Sequence, residues 1–288
     1  MPEKIFKLAV TKFGCIASGP LLDYLLDERA ARDDIEIRGY TSGTKLDTES
    51  CDAVLAQVIS YQPDLVLLVN PNAALPGPMK AREQLANNKL NAITISDGPS
   101  SKAFIGKDAE GNKIEKILEK QGFIIIPCDS MIGARSEFLD PAEMTLFNSD
   151  IIRVLSVCGV TRLIQHEVDR VISEIKNGHS AQMPKVIASA ETVVESAGFS
   201  NPYAKAKAIA ALTIAESVSK LTTKGCFKEH DPVKYIPLVA AGHEMMRAAS
   251  LLADEVREIE KYNDSVLRTP HSSNGRLKSK NKLFSVPE

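Results

Sequence analysis

The residues best suited to chemistry stand in residues 64–78, DLVLLVNPNAALPGP. An apolar run over residues 65–69 stops at Asn70, and two Asn, three Pro and one Gly follow within residues 70–78. Asn70 and Asn72 each carry amide donors and a carbonyl acceptor. Pro71, Pro76 and Pro78 restrict the backbone around them. Amides on a stiff loop suit the binding and orienting of a polar ligand. The same residues suit a stiff connection that holds no ligand.

Further polar groups recur at comparable places. Lys12-Phe13-Gly14-Cys15 follows a first apolar run, Asp97-Gly98-Pro99 a later one, and Asp129 a third. Lys12 offers a charge to an anionic ligand, or is a solvated lysine beside a tight turn. The turn at Gly14 stands where dinucleotide folds hold phosphate, but its sequence is not G-x-G-x-x-G. Arg135, in Met131-Ile132-Gly133-Ala134-Arg135, fits a carboxylate or phosphate, or a surface ion pair. No nucleophile stands beside a base, and no P-loop or metal-ligand spacing occurs. Such a residue set positions ligands rather than attacking them. Hydride transfer between two bound partners asks little more of a protein than positioning and exclusion of water.

The elements that must carry these groups follow from the pattern. Strands are expected over residues 5–11, 35–40, 65–69, 91–96 and 123–127. They alternate with helices over 20–31, 47–61, 79–87 and 114–121. Residues 102–113, polar and holding two glycines, read as an exposed loop. Helical crossovers imply a parallel sheet. In such a sheet Lys12, Thr41, Asn70, Asp97 and Asp129 follow the carboxyl ends of their strands and share one edge, where ligands bind in open α/β sheets.

Past residue 150 the character turns helical, over residues 160–176, 190–197, 202–221 and 232–263. Asp140-Pro141, Asn201-Pro202 and Asp231-Pro232 are cap-plus-proline helix starts. Six alanines within residues 204–215 suit close helix contact. The last helix is apolar nearly all round over 236–252, which places it inside a bundle or a subunit interface. His243 lies in it and reads as a packing residue before a chemical one. Asn274-Gly275 in the basic tail is a hairpin signal. The fold class is therefore α/β: a Rossmann-like parallel-sheet domain over residues 1–150, a helix bundle over 151–263, and a short β-containing tail over 264–288 that packs on the rest of an oligomer.

Composition narrows the function. The chain has 288 residues, 44% hydrophobic and 25% charged, with a net charge of −2. These values fit a soluble globular protein and give no reason to expect nucleic acid or an anionic membrane as partner. No apolar run approaches the ~18 residues of a membrane span, so a cytoplasmic location is expected. Five cysteines, an odd number and widely spaced, argue against disulfides and a zinc site.

Several stretches together resemble the coenzyme F420-dependent methylenetetrahydromethanopterin dehydrogenases of methanogenic and related archaea. They are Leu26-Asp27-Glu28-Arg29-Ala30, Pro71-Asn72-Ala73, Pro76-Gly77-Pro78, Ala81-Arg82-Glu83 and Asp97-Gly98-Pro99. Beyond these come Ile132-Gly133-Ala134-Arg135, Glu137 to Pro141, Asn201-Pro202-Tyr203-Ala204, Gly242 to Met246, and Arg268-Thr269-Pro270-His271. The resemblance implies reversible hydride transfer between the methylene carbon of methylene-tetrahydromethanopterin and the deazaflavin carbon of coenzyme F420, a dissociable co-substrate. It implies no metal, no flavin and a homohexamer. It also assigns the loops to the ligand cleft: Lys12 and Gly14; Asn70, Pro71 and Asn72; Asp97, Gly98 and Pro99; Met131, Ile132, Gly133 and Arg135. No protein acid or base is assigned, since direct hydride transfer needs none.

Two departures stand out. The family usually carries Lys-Cys-Gly-Asn where this chain has Lys12-Phe13-Gly14-Cys15, and residues 104–113 look like an insertion. The altered turn admits a nicotinamide acceptor for the same pterin. A pterin- or deazaflavin-binding paralogue without catalysis is a further reading.

Overall fold

A computed structural model describes residues 5–130 and 140–288. In chain order come β1 (Phe6–Lys12), α1 (Ser18–Asp27), β2 (Ile35–Thr41), α2 (Thr48–Tyr61), β3 (Leu65–Asn70), α3 (Pro76–Asn87) and β4 (Ala92–Ser96). Then follow α4 (Ser101–Phe104), β5 (Ile105–Lys107), β6 (Lys113–Glu115) and β7 (Gln121–Ile125). The rest is α5 (Pro141–Cys158), α6 (Val160–Lys176), β8 (Lys185–Ile187), α7 (Ala190–Ala197), α8 (Pro202–Thr223) and α9 (Pro232–Tyr262).

The described residues divide into two compact units. The first draws on residues 1–126, 164–187 and 271–276, and the second on 127–163, 188–270 and 277–288. The units are not contiguous in sequence and do not break at 150 and 263. One reason is β8, which pairs in parallel with β7 and carries residues 164–187 into the first unit. Its three residues are too few, and too exposed, to announce a strand in the sequence.

In the first unit the sheet runs β2-β1-β3-β4-β7-β8, with every pair parallel. The order reverses between β1 and β3, the switch point at which open α/β sheets leave a crevice. Leu65, Val66, Leu67, Leu68 and Val69 of β3 are fully buried, each contributing about 1.5–3 kcal/mol. This anchorage fixes where Asn70 leaves the sheet.

Three expectations change here. Helix α3 starts at Pro76, not at residue 79, because proline suits the first helical position; the loop is therefore shorter than the proline count suggested. Residues 102–113 are not an open loop. They form the short α4 and then an antiparallel hairpin, β5 with β6, closed where Asn112 donates its backbone N–H to Asp108 Oδ1 at 2.7 Å. The helix expected over 114–121 is absent. Ile114 pairs with Gly106 in the hairpin, and Ile117 packs against Phe104 and Phe123. A helix-like spacing of Ile114, Ile117 and Leu118 is thus used by extended chain.

The second unit is helical. Asp140 caps α5 by accepting from the N–H groups of Ala142 (2.8 Å) and Glu143 (3.2 Å). Gly159 ends it at φ +116, where a Cβ would stand 2.2 Å from the Val193 carbonyl oxygen. Ala204, Ala208, Ala211 and Ala215 are fully buried on α8, and Gly242 of α9 lies close to Thr222 and Val218. The alanines do serve close packing of α8 on α9. Helix α9 is not buried all round. Val239, Gly242, Met246, Ala249, Ala253 and Val256 form the inner stripe, whereas Ile236 and Leu251 are 37% and 48% exposed.

The tail divides between the units. In the second, Arg268 and Lys280 exchange backbone hydrogen bonds, as the hairpin signal implied. In the first, Gly275 turns at φ +83 and Ser273 accepts from the Asp33 N–H at 2.8 Å. His271, its side chain 1% exposed, lies between Glu28 and Asp169, its ring nitrogens 2.9 and 2.8 Å from their carboxylates. Part of the tail thus packs on its own chain. All five cysteines are free, and no described helix is long and apolar enough to cross a membrane.

Candidate functional site

The carboxyl ends of β1, β3 and β4 lie side by side, so Lys12, Asn70 and Asp97 share the edge that the alternation of elements predicts. The turn after β1 is pinned where the Phe13 N–H donates to the Val69 carbonyl at 2.8 Å. Phe13 is fully buried in a cluster with Ala9, Val54, Leu55, Val66 and Leu68. Of the two residues of this turn that depart from the family pattern, Phe13 therefore points into the core, whereas Cys15 is half-exposed. Gly14 sits at φ +74, and a Cβ there would meet the Leu46 side chain at 2.9 Å. Both facts require glycine at this position. Lys12 is half-buried, with its methylenes laid over Gly19 at the start of α1. Burial raises the Asp23 carboxyl above its usual range, and the Lys12 charge opposes that rise.

The loop after β3 is built from the inside out. Asn70 and Pro71 are buried, and Asn72 is half-exposed. The Asn72 Oδ1 accepts from the Ala74 N–H at 3.0 Å. This ties the amide oxygen to the loop's own backbone. The Asn70 Nδ2 is buried and has no hydrogen-bond partner among the described residues, a cost of about 1–3 kcal/mol unless something accepts from it. Arg82 of α3 is buried beneath the loop. Its guanidinium carbon lies 4.1 Å from the centroid of the Phe104 ring, and its Nη1 reaches the Ala73 carbonyl at 3.5 Å. Burial pushes the Arg82 pKa down. Phe104 stacks on Phe123 with centroids 4.5 Å apart, so the hairpin's root supports the same loop.

After β4, Asp97 is 5% exposed and accepts from the Gly98 N–H at 2.5 Å. It caps a single helical turn, Gly98–Ser100. Gly98 is half-buried and Pro99 exposed. Two residues passed over in the sequence, Ser96 and Ser100, join the loops. The Ser96 Oγ donates to the Asn70 carbonyl, the two serine Oγ atoms lie 2.5 Å apart, and the Ser100 Oγ accepts from the Ala73 N–H at 2.7 Å. The available signal was a serine closing the apolar strand AITIS, where a fully buried hydroxyl must find partners.

Around this loop the first unit also holds a shallow groove of about 420 Å³ lined by Ala74, Met79, Arg82, Glu83, Lys102 and Lys116. The lining of this groove carries Arg82, Lys102 and Lys116 against Glu83. The remaining expected residues do not enter this geometry. Met131, Ile132, Gly133 and Arg135 lie outside the described residues. Asp129 is fully buried and belongs to the second unit. His243, also in the second unit, packs against Phe147 with centroids 4.7 Å apart, and burial pushes its imidazole pKa down. Among the described residues no group of three or more His, Cys, Asp or Glu side chains is arranged to hold a metal ion.

What the edge offers is chemically simple: amide donors, backbone turns fixed by glycine and proline, one lysine, and buried groups that hold the loops in place. It can bind and orient planar polar ligands at a switch point.

Known proteins resemble this chain over nearly its whole length. The family model for methylene-5,6,7,8-tetrahydromethanopterin dehydrogenase matches residues 6–288. The F420-dependent methylenetetrahydromethanopterin dehydrogenase of Archaeoglobus fulgidus is 51% identical over 99% of this chain and 100% of its own. That of Methanocaldococcus jannaschii is 45% identical over 99% and 100%. One similar solved structure is an F420-dependent methylene-tetrahydromethanopterin dehydrogenase in complex with methylene-tetrahydromethanopterin and coenzyme F420. Its TM-score is 0.90 at 41% identity, and the match covers 99% of this chain and 100% of that one. The chain belongs to the methylene-5,6,7,8-tetrahydromethanopterin dehydrogenase family.

Proposed function

We propose that this chain is an oxidoreductase that transfers a hydride reversibly between methylene-tetrahydromethanopterin and coenzyme F420 in archaeal one-carbon metabolism. The observation that carries the reading is the full-length likeness to a dehydrogenase solved with both molecules bound, at a TM-score of 0.90. Bound coenzyme F420 supplies a deazaflavin carbon able to accept or return a hydride. The residues of this chain do the rest. Lys12 and the Gly14 turn form one wall of the site, and Asn70, Pro71 and Asn72 form the floor beside the switch point. Asp97, Gly98 and Pro99 form the opposite wall; Met131, Ile132, Gly133 and Arg135, which the resemblance also assigns to the ligands, lie outside the described residues.

The residues present fit two polar ring systems. The Asn70 Nδ2 is an orphaned buried donor, and Gly14 allows close backbone approach. No step requires a protein acid or base. Rate enhancement comes from holding donor and acceptor carbons together and keeping water out.

The oligomer in this reading is a hexamer, and the exposed apolar residues of the second unit, Leu146, Tyr203, Val233 and Leu251 among them, suit burial against other copies. A nicotinamide acceptor was suggested by the altered turn after β1. Phe13 lies wholly in the core and gives no ground for a different acceptor; Cys15, the other departure in that turn, is half-exposed. The test is to mix purified protein with methylene-tetrahydromethanopterin and either acceptor. Coenzyme F420 loses its visible absorbance on this reading. Tight binding of both ligands without turnover indicates a non-catalytic paralogue instead.

A further inference from the structure

Two acceptors of Asn70 face the Ser96 hydroxyl, its carbonyl and its side-chain Oδ1 at 3.1 Å, so the Ser96 proton goes to Asn70 by either route. The Ala73 N–H can only donate, and it donates to the Ser100 Oγ at 2.7 Å. The Asn70 carbonyl can only accept, and the Ser96 Oγ lies 2.5 Å from it. The two hydroxyls are 2.5 Å apart. Ser96 spends its proton on Asn70, so the Ser100 hydroxyl must donate to the Ser96 Oγ. The result is one directed chain: Ala73 N–H to Ser100 Oγ–H to Ser96 Oγ–H to Asn70 C=O. Each bond polarises the next in the same sense.

The ends of that chain belong to one short loop. Asn70 and Ala73 flank Pro71 and Asn72, just ahead of the turn that the Leu75 N–H closes on the Asn72 carbonyl at 3.2 Å. Two hydroxyls from the neighbouring strand and its loop link the Ala73 N–H to the Asn70 carbonyl. Asn70, Ala73, Ser96 and Ser100 are all fully buried, so the chain is shielded from water. The Ser96 carbonyl accepts from the Ile126 N–H at 2.8 Å, and the Ser100 N–H donates to the Asp97 carbonyl at 3.0 Å. Ser96 is therefore held from the β7 side, and Ser100 from the Asp97 turn.

We propose that Ser96 and Ser100 are positioning residues. Their hydroxyls splice the Asn70–Ala73 loop to the Asp97–Ser100 turn and fix the separation of the floor of the ligand site from its Asp97 wall. This rests on the function proposed above. Asn72 and Gly98–Pro99 then keep a set spacing, and the hydride donor and acceptor carbons keep theirs.

The test pairs kinetics with amide hydrogen exchange in the intact enzyme. Ser96→Ala, Ser100→Ala and the double variant are compared with wild type for kcat, for KM of each substrate, and for exchange over residues 70–78 and 97–100. Each single variant should lower kcat/KM about tenfold, the scale set by one unsatisfied buried group. KM for at least one substrate should rise, and exchange should quicken in both loops, not only in the one bearing the substitution. The double variant should be no worse than the singles, because either break opens the whole chain. Ser100→Thr, which keeps the hydroxyl, should recover much of the loss. If Ser100→Ala does not fold, Ser96→Ala carries the same test. Folded variants with kcat/KM within about twofold of wild type overturn the positioning role, as do losses that simply add. If wild type itself fails to reduce coenzyme F420, the functional reading falls, and exchange alone decides the splice. Faster exchange in both loops upholds it, and an unchanged partner loop overturns it.

Discussion

Replacing Gly77 by alanine sets two effects of opposite sign against each other. Gly77 is the second residue of α3, and alanine is the better helix former by about 1 kcal/mol. Propensity alone therefore makes Gly77→Ala stabilising. Packing opposes it. A Cβ at Gly77 would stand 2.4 Å from the Leu46 carbonyl oxygen, 2.7 Å from the Cys51 Sγ and 3.0 Å from the Asp47 carbonyl oxygen. Two of these atoms are backbone, and Asp47 is the N-cap of α2, accepting from the Ser50 N–H at 2.8 Å. Overpacking costs about 1–3 kcal/mol, and disturbing a cap adds about 0.5–2 kcal/mol. The net expectation is a loss of about 2 kcal/mol. With about 2–4 °C per kcal/mol for a chain of this size class, Tm should fall by about 4–8 °C. The protein lacks Trp, so far-ultraviolet circular dichroism is the natural probe. KM should rise as well, because α3 carries the end of the 70–78 loop. An unchanged or higher Tm would show that the close approach at Gly77 does not govern this position.

Three further outcomes follow from the same geometry. Phe13→Ala should cost about 3–5 kcal/mol, as for other fully buried aromatics; denaturant unfolding measures this, and a cost below 1 kcal/mol contradicts the core placement. Asp97→Asn should keep turnover within a few-fold of wild type, because an asparagine oxygen can still accept from the Gly98 N–H. A folded variant that loses most of its turnover would instead give the carboxylate charge a direct role. Arg32 and Lys176 hold the Asp34 carboxyl well below the usual range, each at 2.8 Å. A carboxyl with a depressed folded pKa contributes stability that is fully present above its unfolded pKa, about 4, and is lost as pH falls toward the folded value. Tm should therefore drop on acidification below about pH 4, and Asp34→Asn should flatten that part of the Tm–pH profile.

Elements with strong local chemistry were readable from the sequence. Asp140-Pro141, Asn201-Pro202 and Asp231-Pro232 start helices as expected, and each cap side chain accepts the N–H bonds it should. The buried run of β3 and the parallel order of the sheet were equally legible, since strand and crossover lengths leave few alternatives. Failures came where tertiary pairing overrides local spacing. Ile114 to Leu118 has helical periodicity but pairs as hairpin and coil, and β8 is too short to show. In the site, Asn70, Asp97 and Gly14 were visible by type. Ser96 and Ser100 were not, because their meaning lies in bonds across 26 and 27 residues of chain and to each other. Phe13 looked like a change at the ligand surface and is a change in the core. The apolar residues all round α9 were expected inside a bundle or a subunit interface, and within one chain Ile236 and Leu251 are not buried.

On the proposed function this chain moves a hydride from methylene-tetrahydromethanopterin to coenzyme F420. The most direct measurement follows the visible absorbance of coenzyme F420 when purified protein is added to both compounds in the absence of any nicotinamide. That absorbance should fall at a rate proportional to protein concentration and recover when the reaction is driven in reverse. Absorbance that stays constant with folded protein, or reduction seen only with a nicotinamide acceptor, would contradict it.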